Sequence, residues 1–234
     1  KKDSIKSPSA PFTTSTLQQE SAKKLGFSSK KTMFMAQRLY EKGLITYMRT
    51  DSVNLSEAAV SKANSWITSN LGANYAIPGG RVFKGKSKLA QEAHEAIRPT
   101  NPESTPEQLS FEEKGEFKVY DLIWRRFFAS QMQEAKIQSI HVNIDSVGKE
   151  IFTFKASGQR IVFDGFLKIW PNKFEEKELP ILLEKESLTL KEILSNEHQT
   201  APPGRYGEAS LINTREDHGI GSPSTYSPII SVIQ

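Results

Sequence analysis

With 234 residues the chain is long enough for one large domain or two to three small ones, and 37% apolar against 25% charged residues excludes wholesale disorder. Lysine and arginine total 31 against 27 acidic residues, giving +4 and an isoelectric point near 9.1, a mild basic bias compatible with a polyanionic partner. The lack of cysteine excludes disulfide scaffolds, cysteine–zinc sites, iron–sulfur clusters and thiol catalysis, and no apolar run approaches the roughly 18 residues needed to span a bilayer, so a cytoplasmic protein is expected.

Residues 1–10 form a polar Lys/Ser/Pro stretch that reads as a leader. Residues 11–133 are expected to be mostly helical. Thr13, Thr14 and Ser15 offer N-caps to a first helix that Gly26 is placed to end. Ser28 or Ser29 can cap a second helix, closed by Gly43, with Met33, Ala36 and Leu39 or Tyr40 on a buried stripe. Two helices joined by Gly-Phe-Ser and followed by the β-like LITYMRT resemble a helix-turn-helix with a wing. That reading puts Lys30, Lys31, Gln37 and Arg38 on a nucleic-acid-binding face. An ordinary αα-hairpin has the same pattern.

Asn54 with Glu57 fits a capping box for a helix running to Gly72. The loop IPGGRVFKGKSK then supplies Arg81, Lys84, Lys86 and Lys88 for solvent or for phosphate. A short helix around Leu89 to Arg98 is expected to stop at Pro99, and a long one to run from Phe111 to about Gln133. Its aromatic residues Phe117, Tyr120, Trp124, Phe127 and Phe128 read as core. The period then changes to two. Ile140, Val142 and Ile144 alternate with polar residues, Val147-Gly148-Lys149 reads as a turn, and β structure is expected over about 134–194, including SLTLKEI. Residues 201–234 return to helix after Ala-Pro-Pro-Gly.

Familiar chemistries fall away first. HEAIR at 94–98 is not a zinc-binding H-E-x-x-H, and phosphate-loop, dinucleotide and nucleophile-elbow motifs are absent. What remains is Gly43-Leu-Ile-Thr-Tyr47-Met-Arg49-Thr. In an extended segment Tyr47 and Arg49 share a face. A tyrosine hydroxyl, with a pKa of about 10, is a poor nucleophile at neutral pH, but a neighbouring guanidinium favours the phenolate and holds a phosphate. An aryl oxygen also leaves more readily than a sugar alkoxide, which makes a phosphotyrosine–DNA bond reversible without a nucleotide cofactor. A packed aromatic beside a surface charge is the plainer account. His94 and Arg98, at i and i+4, can grip one phosphate or form a surface ion-pair site with Glu92 and Glu95. Ser222-Pro223-Ser224-Thr225 looks like a helix start whose free N–H groups and hydroxyls suit an anion or a simple cap.

Three segments together, PFTTSTLQQESAKKLGFSSKKTMFMAQRLYEKGLITYMRTDS, QEAHEAIRPT and APPGRYGEASLINTREDHGIGSPSTYSPIIS, resemble the central region of bacterial type IA DNA topoisomerases. The resemblance runs from about Ser7 to the end. It implies that Tyr47 attacks a single-strand phosphodiester and stays on the 5′ phosphate, that Arg49 is catalytic, and that His94 contacts DNA phosphate. Arg98, Gln37, Arg38, Ser224 and Thr225 complete the expected DNA-binding set. The family's Mg²⁺-binding Toprim domain lies upstream, so Mg²⁺ is expected in the parent enzyme and no metal site in these residues. Where the family has Gly-Ile-Gly-Arg-Pro-Ser-Thr-Tyr-Ala this chain has Ser222, while Pro228 enters a helix and Arg215 stands at a usually apolar position.

The expected fold is therefore a multidomain α and β assembly. It comprises a leader (1–10), a helical tyrosine-bearing domain with a winged-helix-like, catabolite-activator-like unit (11–133), a β arch segment (134–200) and the start of a second helical DNA-binding domain (201–234). The expected activity is ATP-independent cleavage and rejoining of single-stranded DNA, relaxing negative supercoils, by a parent that is monomeric and bacterial, with no membrane partner. The unfinished apolar end SPIISVIQ reads as a cut piece of something longer. A non-catalytic winged-helix protein is the rival from another class. A tyrosine recombinase orders its Arg and His before the Tyr, whereas here Tyr47 precedes His94 and Arg98.

Overall fold

The computed structural model describes residues 1–84, 94–172, 174 and 176–233. In chain order these give strand β1 (Lys2–Lys6), helices α1 (Thr14–Leu25), α2 (Ser29–Glu41), α3 (Glu57–Leu71) and α4 (Lys114–Ser130), strands β2 (Ala135–Asp145) and β3 (Thr153–Phe163), and helices α5 (Glu208–Asp217) and α6 (Tyr226–Ile233). The helices form one body, and the strands a three-stranded antiparallel sheet in the order β1-β2-β3.

Local signals set the first two helices. Thr13 caps α1 by a reciprocal box with Thr16, and Gly26 ends it in the left-handed region (φ 65°). Ser28 caps α2 through the Lys31 N–H. The buried stripe of α2 is Thr32, Met35, Ala36 and Leu39, one position off the expected register at Met33, while Tyr40 lies outside it. Helix α4 is the centre of the core. Val119, Tyr120, Ile123, Phe127 and Phe128 are sealed from solvent, and Phe117 is displaced to the rim by that stripe. Trp66 and Trp124 meet edge to face at 5.0 Å, and both stack on Phe128. Each such large side chain contributes about 1.5–3 kcal/mol of apolar burial.

Four expectations need correction. The polar opening is not a leader: β1 pairs antiparallel with β2, from Lys2 opposite Ser139 to Lys6 opposite Ala135. The cap of α3 is Ser56, not Asn54, and its own hydroxyl makes no capping bond. Residues 94–98 are not helical; they run extended because their backbone is bonded to three other segments, as detailed below. Residues 187–193 form no strand and lie exposed. The β2–β3 hairpin does form, with Asp145 opposite Thr153, and among the described residues its outer edge carries a single bridge, Gln159 to Lys177. The expected phosphate contacts Lys86 and Lys88 lie outside the described residues. Pro228 does not interrupt α6, since it falls in the first turn, where the missing N–H has no helical partner to lose.

No helix among the described residues is long and apolar enough to cross a membrane.

Candidate active site

The tyrosine segment is held by backbone bonds from three directions. Gly43 turns the chain off α2 at φ 67°, a conformation that favours glycine. Leu44 and Thr46 then pair with Thr100 and Arg98: the Thr46 N–H donates to the Arg98 carbonyl at 2.9 Å, and the Thr100 N–H to the Leu44 carbonyl at 3.0 Å. Residues 96 and 97 are tied in turn, Ala96 N–H to the Asn54 carbonyl and Ile97 N–H to the Phe12 carbonyl, each at 2.8 Å. Thr46 adds a third link through its side chain, donating to the Ala96 carbonyl at 2.7 Å and accepting from the Arg98 N–H at 3.0 Å.

Thr14, at the start of α1, holds the other end. Its fully buried hydroxyl donates to the Met48 carbonyl at 2.7 Å and accepts from the Thr50 N–H at 2.9 Å, while its own N–H donates to the Thr50 carbonyl. Arg49 is thus bracketed by two residues fixed to one threonine. Ile45, Met48 and Thr50 point into the core, and Tyr47 and Arg49 face out. Tyr47 is 44% exposed. Both side chains are exposed, but the segment is bent at residues 46, 48 and 49 and forms a single bridge among the described residues, Ile45 to Pro99.

An open cavity of about 320 Å³ lies at Tyr47, lined also by Tyr40, Thr46, Thr50, His94 and Glu95. The Tyr40 and Tyr47 rings meet edge to face at 5.2 Å. Glu95 accepts from the Ser56 N–H at 2.6 Å and from Arg98 Nη2 at 2.5 Å. It therefore supplies from a distance the carboxylate that a capping box would place inside α3. Burial works against the Glu95 carboxylate, yet the bonds from Arg98 and Ser56 prevail and hold its pKa below the ordinary glutamate value. Arg98 spends Nη1 on the Pro99 carbonyl and Nη2 on Glu95. It braces the cavity wall rather than pairing with His94 across a helical turn. His94 itself is exposed at the cavity, and Arg49 makes no ion pair among the described residues.

The remaining expected contacts fall into two groups. On α2, Gln37 donates to Glu41 at 2.7 Å, and Arg38 is engaged by Glu112, Glu113 and Glu116. Its guanidinium is raised in pKa first by the hydrogen bond to Glu116. Arg38 thus joins α2 to α4 and is not a free cation. Helices α5 and α6 pack back on α1 and α2: Glu216 accepts from Ser15 at 2.7 Å and Glu208 from the Ser29 N–H at 2.7 Å. Ahead of α6, the Ser222 N–H donates to Thr225 Oγ1 at 2.8 Å, and the Ser222 and Ser224 hydroxyls lie 3.0 Å apart. Ser224 is exposed. Arg215 is 8% exposed, lies against Gly221, and leaves Nη1 without a partner among the described residues.

A family model described as DNA topoisomerase matches residues 1–234. The chain belongs to the DNA topoisomerase family. It is 48% identical to DNA topoisomerase 1 of Rickettsia felis over 249 aligned residues, covering 100% of this chain and 32% of that protein. Against DNA topoisomerase 1 of Helicobacter pylori the identity is 47%, with 100% and 33% covered. Among solved structures, the full-length topoisomerase I of Thermotoga maritima superposes with a TM-score of 0.80 at 35% identity, covering 99% of this chain and 39% of that one. This topoisomerase chain therefore spans about a third of the length of the curated relatives it matches.

Sequence reasoning missed Thr46 altogether, gave Thr14 only as a cap, and read Glu95 only as an ion-pair partner of Arg98, a pair that does form. Nothing local marks their other roles, since those bonds reach residues 34 to 52 positions away. Among the described residues no group of three or more His, Asp or Glu is placed to hold a metal ion.

Proposed function

We propose that this chain is the nucleophile-bearing part of a bacterial type IA topoisomerase and that Tyr47 cleaves a single DNA strand. The observation that supports this reading is the placement of Tyr47 at the mouth of an open cavity shared with His94, on a backbone clamped from both sides. In the step, Tyr47 Oη forms a bond to phosphorus while the bond from phosphorus to the 3′ oxygen breaks. The phenolic proton leaves, the 3′ oxygen takes up a proton, and a 5′-phosphotyrosine results. Rejoining is the reverse, and no ATP is consumed because the energy of the broken ester is kept in the new one. Arg49 supplies positive charge, and His94 a ring N–H donor, where the non-bridging oxygens gain negative charge. Arg98 acts through Glu95, as a brace. Ser224 and Thr225 at the start of α6, with Gln37 on α2, are assigned to the DNA track; Arg38 is the least suited, being neutralised by three carboxylates.

The same reading makes α1, α2 and the Tyr47 segment the catabolite-activator-like unit within 11–133, the sheet a part of the arch (134–200), and α5–α6 the opening of a further helical DNA-binding unit (201–234). It makes the parent a monomeric, cytoplasmic, nucleoid-associated enzyme whose Mg²⁺ is held by a Toprim domain outside these residues, and it predicts that the chain alone relaxes no supercoiled DNA. The test is covalent capture. In a full-length enzyme carrying these residues, Tyr47→Phe removes the denaturant-resistant adduct with a labelled single strand and leaves binding in place. Arg49→Ala lowers cleavage by roughly 10²-fold or more, and Arg49→Lys restores little because a point charge lacks the two-pronged fit. An adduct that persists in the Phe variant refutes the assignment.

A further inference from the structure

We infer a second DNA contact, a groove between the end of α1, the outer face of α4 and the Ile169–Pro171 turn, which takes one nucleotide unit of a single strand with its phosphate on Lys24, Lys118 and Arg125 and its base or sugar against Trp170. The inference rests on the reading that single-stranded DNA is the substrate. The groove encloses about 200 Å³ and shares no lining residue with the Tyr47 cavity. Three of its side chains are cationic and one, Asp121, is acidic. Asp121 is bound to Arg125 Nε at 2.7 Å, which leaves Lys24 and Lys118 without an ion pair among the described residues.

What holds these cations in place is aromatic. Lys24 Nζ stands 4.4 Å from the centre of the Trp170 indole, and the buried Arg126 guanidinium lies 5.2 Å from the same ring, anchored to the Ala10 carbonyl. Burial lowers the Arg126 pKa to about 10, which leaves it charged at neutral pH. Lys118 Nζ and Lys31 Nζ sit 5.9 and 4.1 Å from the Phe27 ring, so the line of cations continues towards the start of α2. A cation resting on a ring face keeps its charge available, because no carboxylate competes with an incoming phosphate. The floor is apolar: Leu122 and Ile169 are buried, and Leu25 and Pro171 complete it. Cations beside an indole and an apolar floor suit a nucleotide, which has both a phosphate and a flat base, better than an acidic peptide, which has only the charge.

The experiment is oligonucleotide binding as a function of salt in the full-length enzyme, with the triple variant Lys24→Gln, Lys118→Gln, Arg125→Gln. The wild type should bind a labelled oligothymidylate with a log–log salt slope that is shallower by roughly 0.7 in the triple, for the one phosphate contact removed, with at least a tenfold loss of affinity. An abasic strand of equal length should bind the wild type several-fold more weakly than the base-bearing strand, and that preference should vanish in the triple. Thermal melting should be unchanged, since all three side chains reach solvent. An unchanged slope and affinity overturns the proposal. An equal loss for polyglutamate also overturns it, by making the groove a general acceptor of acidic chains. Covalent capture of a short strand at Tyr47 in the wild type tests the cleavage reading separately. Its absence there would indict that reading, not the groove.

Discussion

Thr14→Val isolates the clamp on the tyrosine segment. Valine keeps the branched shape and removes only the hydroxyl, so apolar packing is nearly preserved. The hydroxyl makes two strong contacts in a site with no solvent, to the Met48 carbonyl at 2.7 Å and from the Thr50 N–H at 2.9 Å. Each net hydrogen bond is worth about 1 kcal/mol, and a buried N–H left unpaired costs about 1–3 kcal/mol more. The expected destabilisation is therefore about 2–4 kcal/mol. With a urea slope near 3 kcal/mol/M for a chain of this size, the midpoint should fall by about 1 M at constant slope. Thr14→Ser, which keeps the hydroxyl, should recover most of the loss. Cleavage in the full-length enzyme should fall further than stability predicts under conditions where the variant is fully folded, because residues 48 and 50 flank Arg49. A midpoint shift below about 0.2 M, the size of an ordinary surface substitution, would refute the clamp.

The α2–α4 ion cluster gives a pH prediction. Burial opposes the Glu116 carboxylate, but bonds from Lys42 and then Arg38 prevail and lower its pKa. A lowered carboxylate stabilises the fold fully above its unfolded pKa of about 4.3 and loses that contribution as pH falls through the folded value. Glu116→Gln should thus flatten the acid limb of a stability profile below about pH 4.5; an unaltered limb would show that the cluster is silent. At Gly165, φ is 51° and an added Cβ would stand 2.4 Å from the Glu134 carbonyl oxygen. Gly165→Ala should therefore cost more than the roughly 1–2 kcal/mol of left-handed strain alone, and a smaller loss by denaturant titration would mean that the turn yields.

The features legible in the sequence were those governed by near neighbours. The caps Thr13 and Ser28, the stops Gly26 and Gly43, the aromatic stripe of α4 and the β2–β3 hairpin all depend on residues within a few positions of one another. The exposure of Tyr47 and Arg49 agrees with a period of two, although the segment bends and forms no strand. Partners distant in sequence defeated the reading elsewhere. Strand β1 is exposed at all five positions and shows no alternation to read, because its stability comes from β2. His94 and Arg98 look like a helical pair until the stretch is seen bonded to Phe12, Thr46 and Asn54. Ser56 hid as a cap because its acidic partner is Glu95, 39 residues later.

The pairing of β1 with β2 also decides how the helical body is mounted. The chain leaves the sheet at Lys6 and re-enters at Ala135, and those two residues are direct neighbours in the ladder. Everything between them, including Tyr47 and its cavity, is thus one excursion with entrance and exit side by side, fastened nearby by Ser7 to Glu134 and by Arg81 to Glu134. The chain crosses once more after β3, bringing Phe166, Leu167 and Ile169 into the core of the helices. Sheet and helices are therefore joined by at least three passages of chain, and any turning of the body must carry that apolar plug with it.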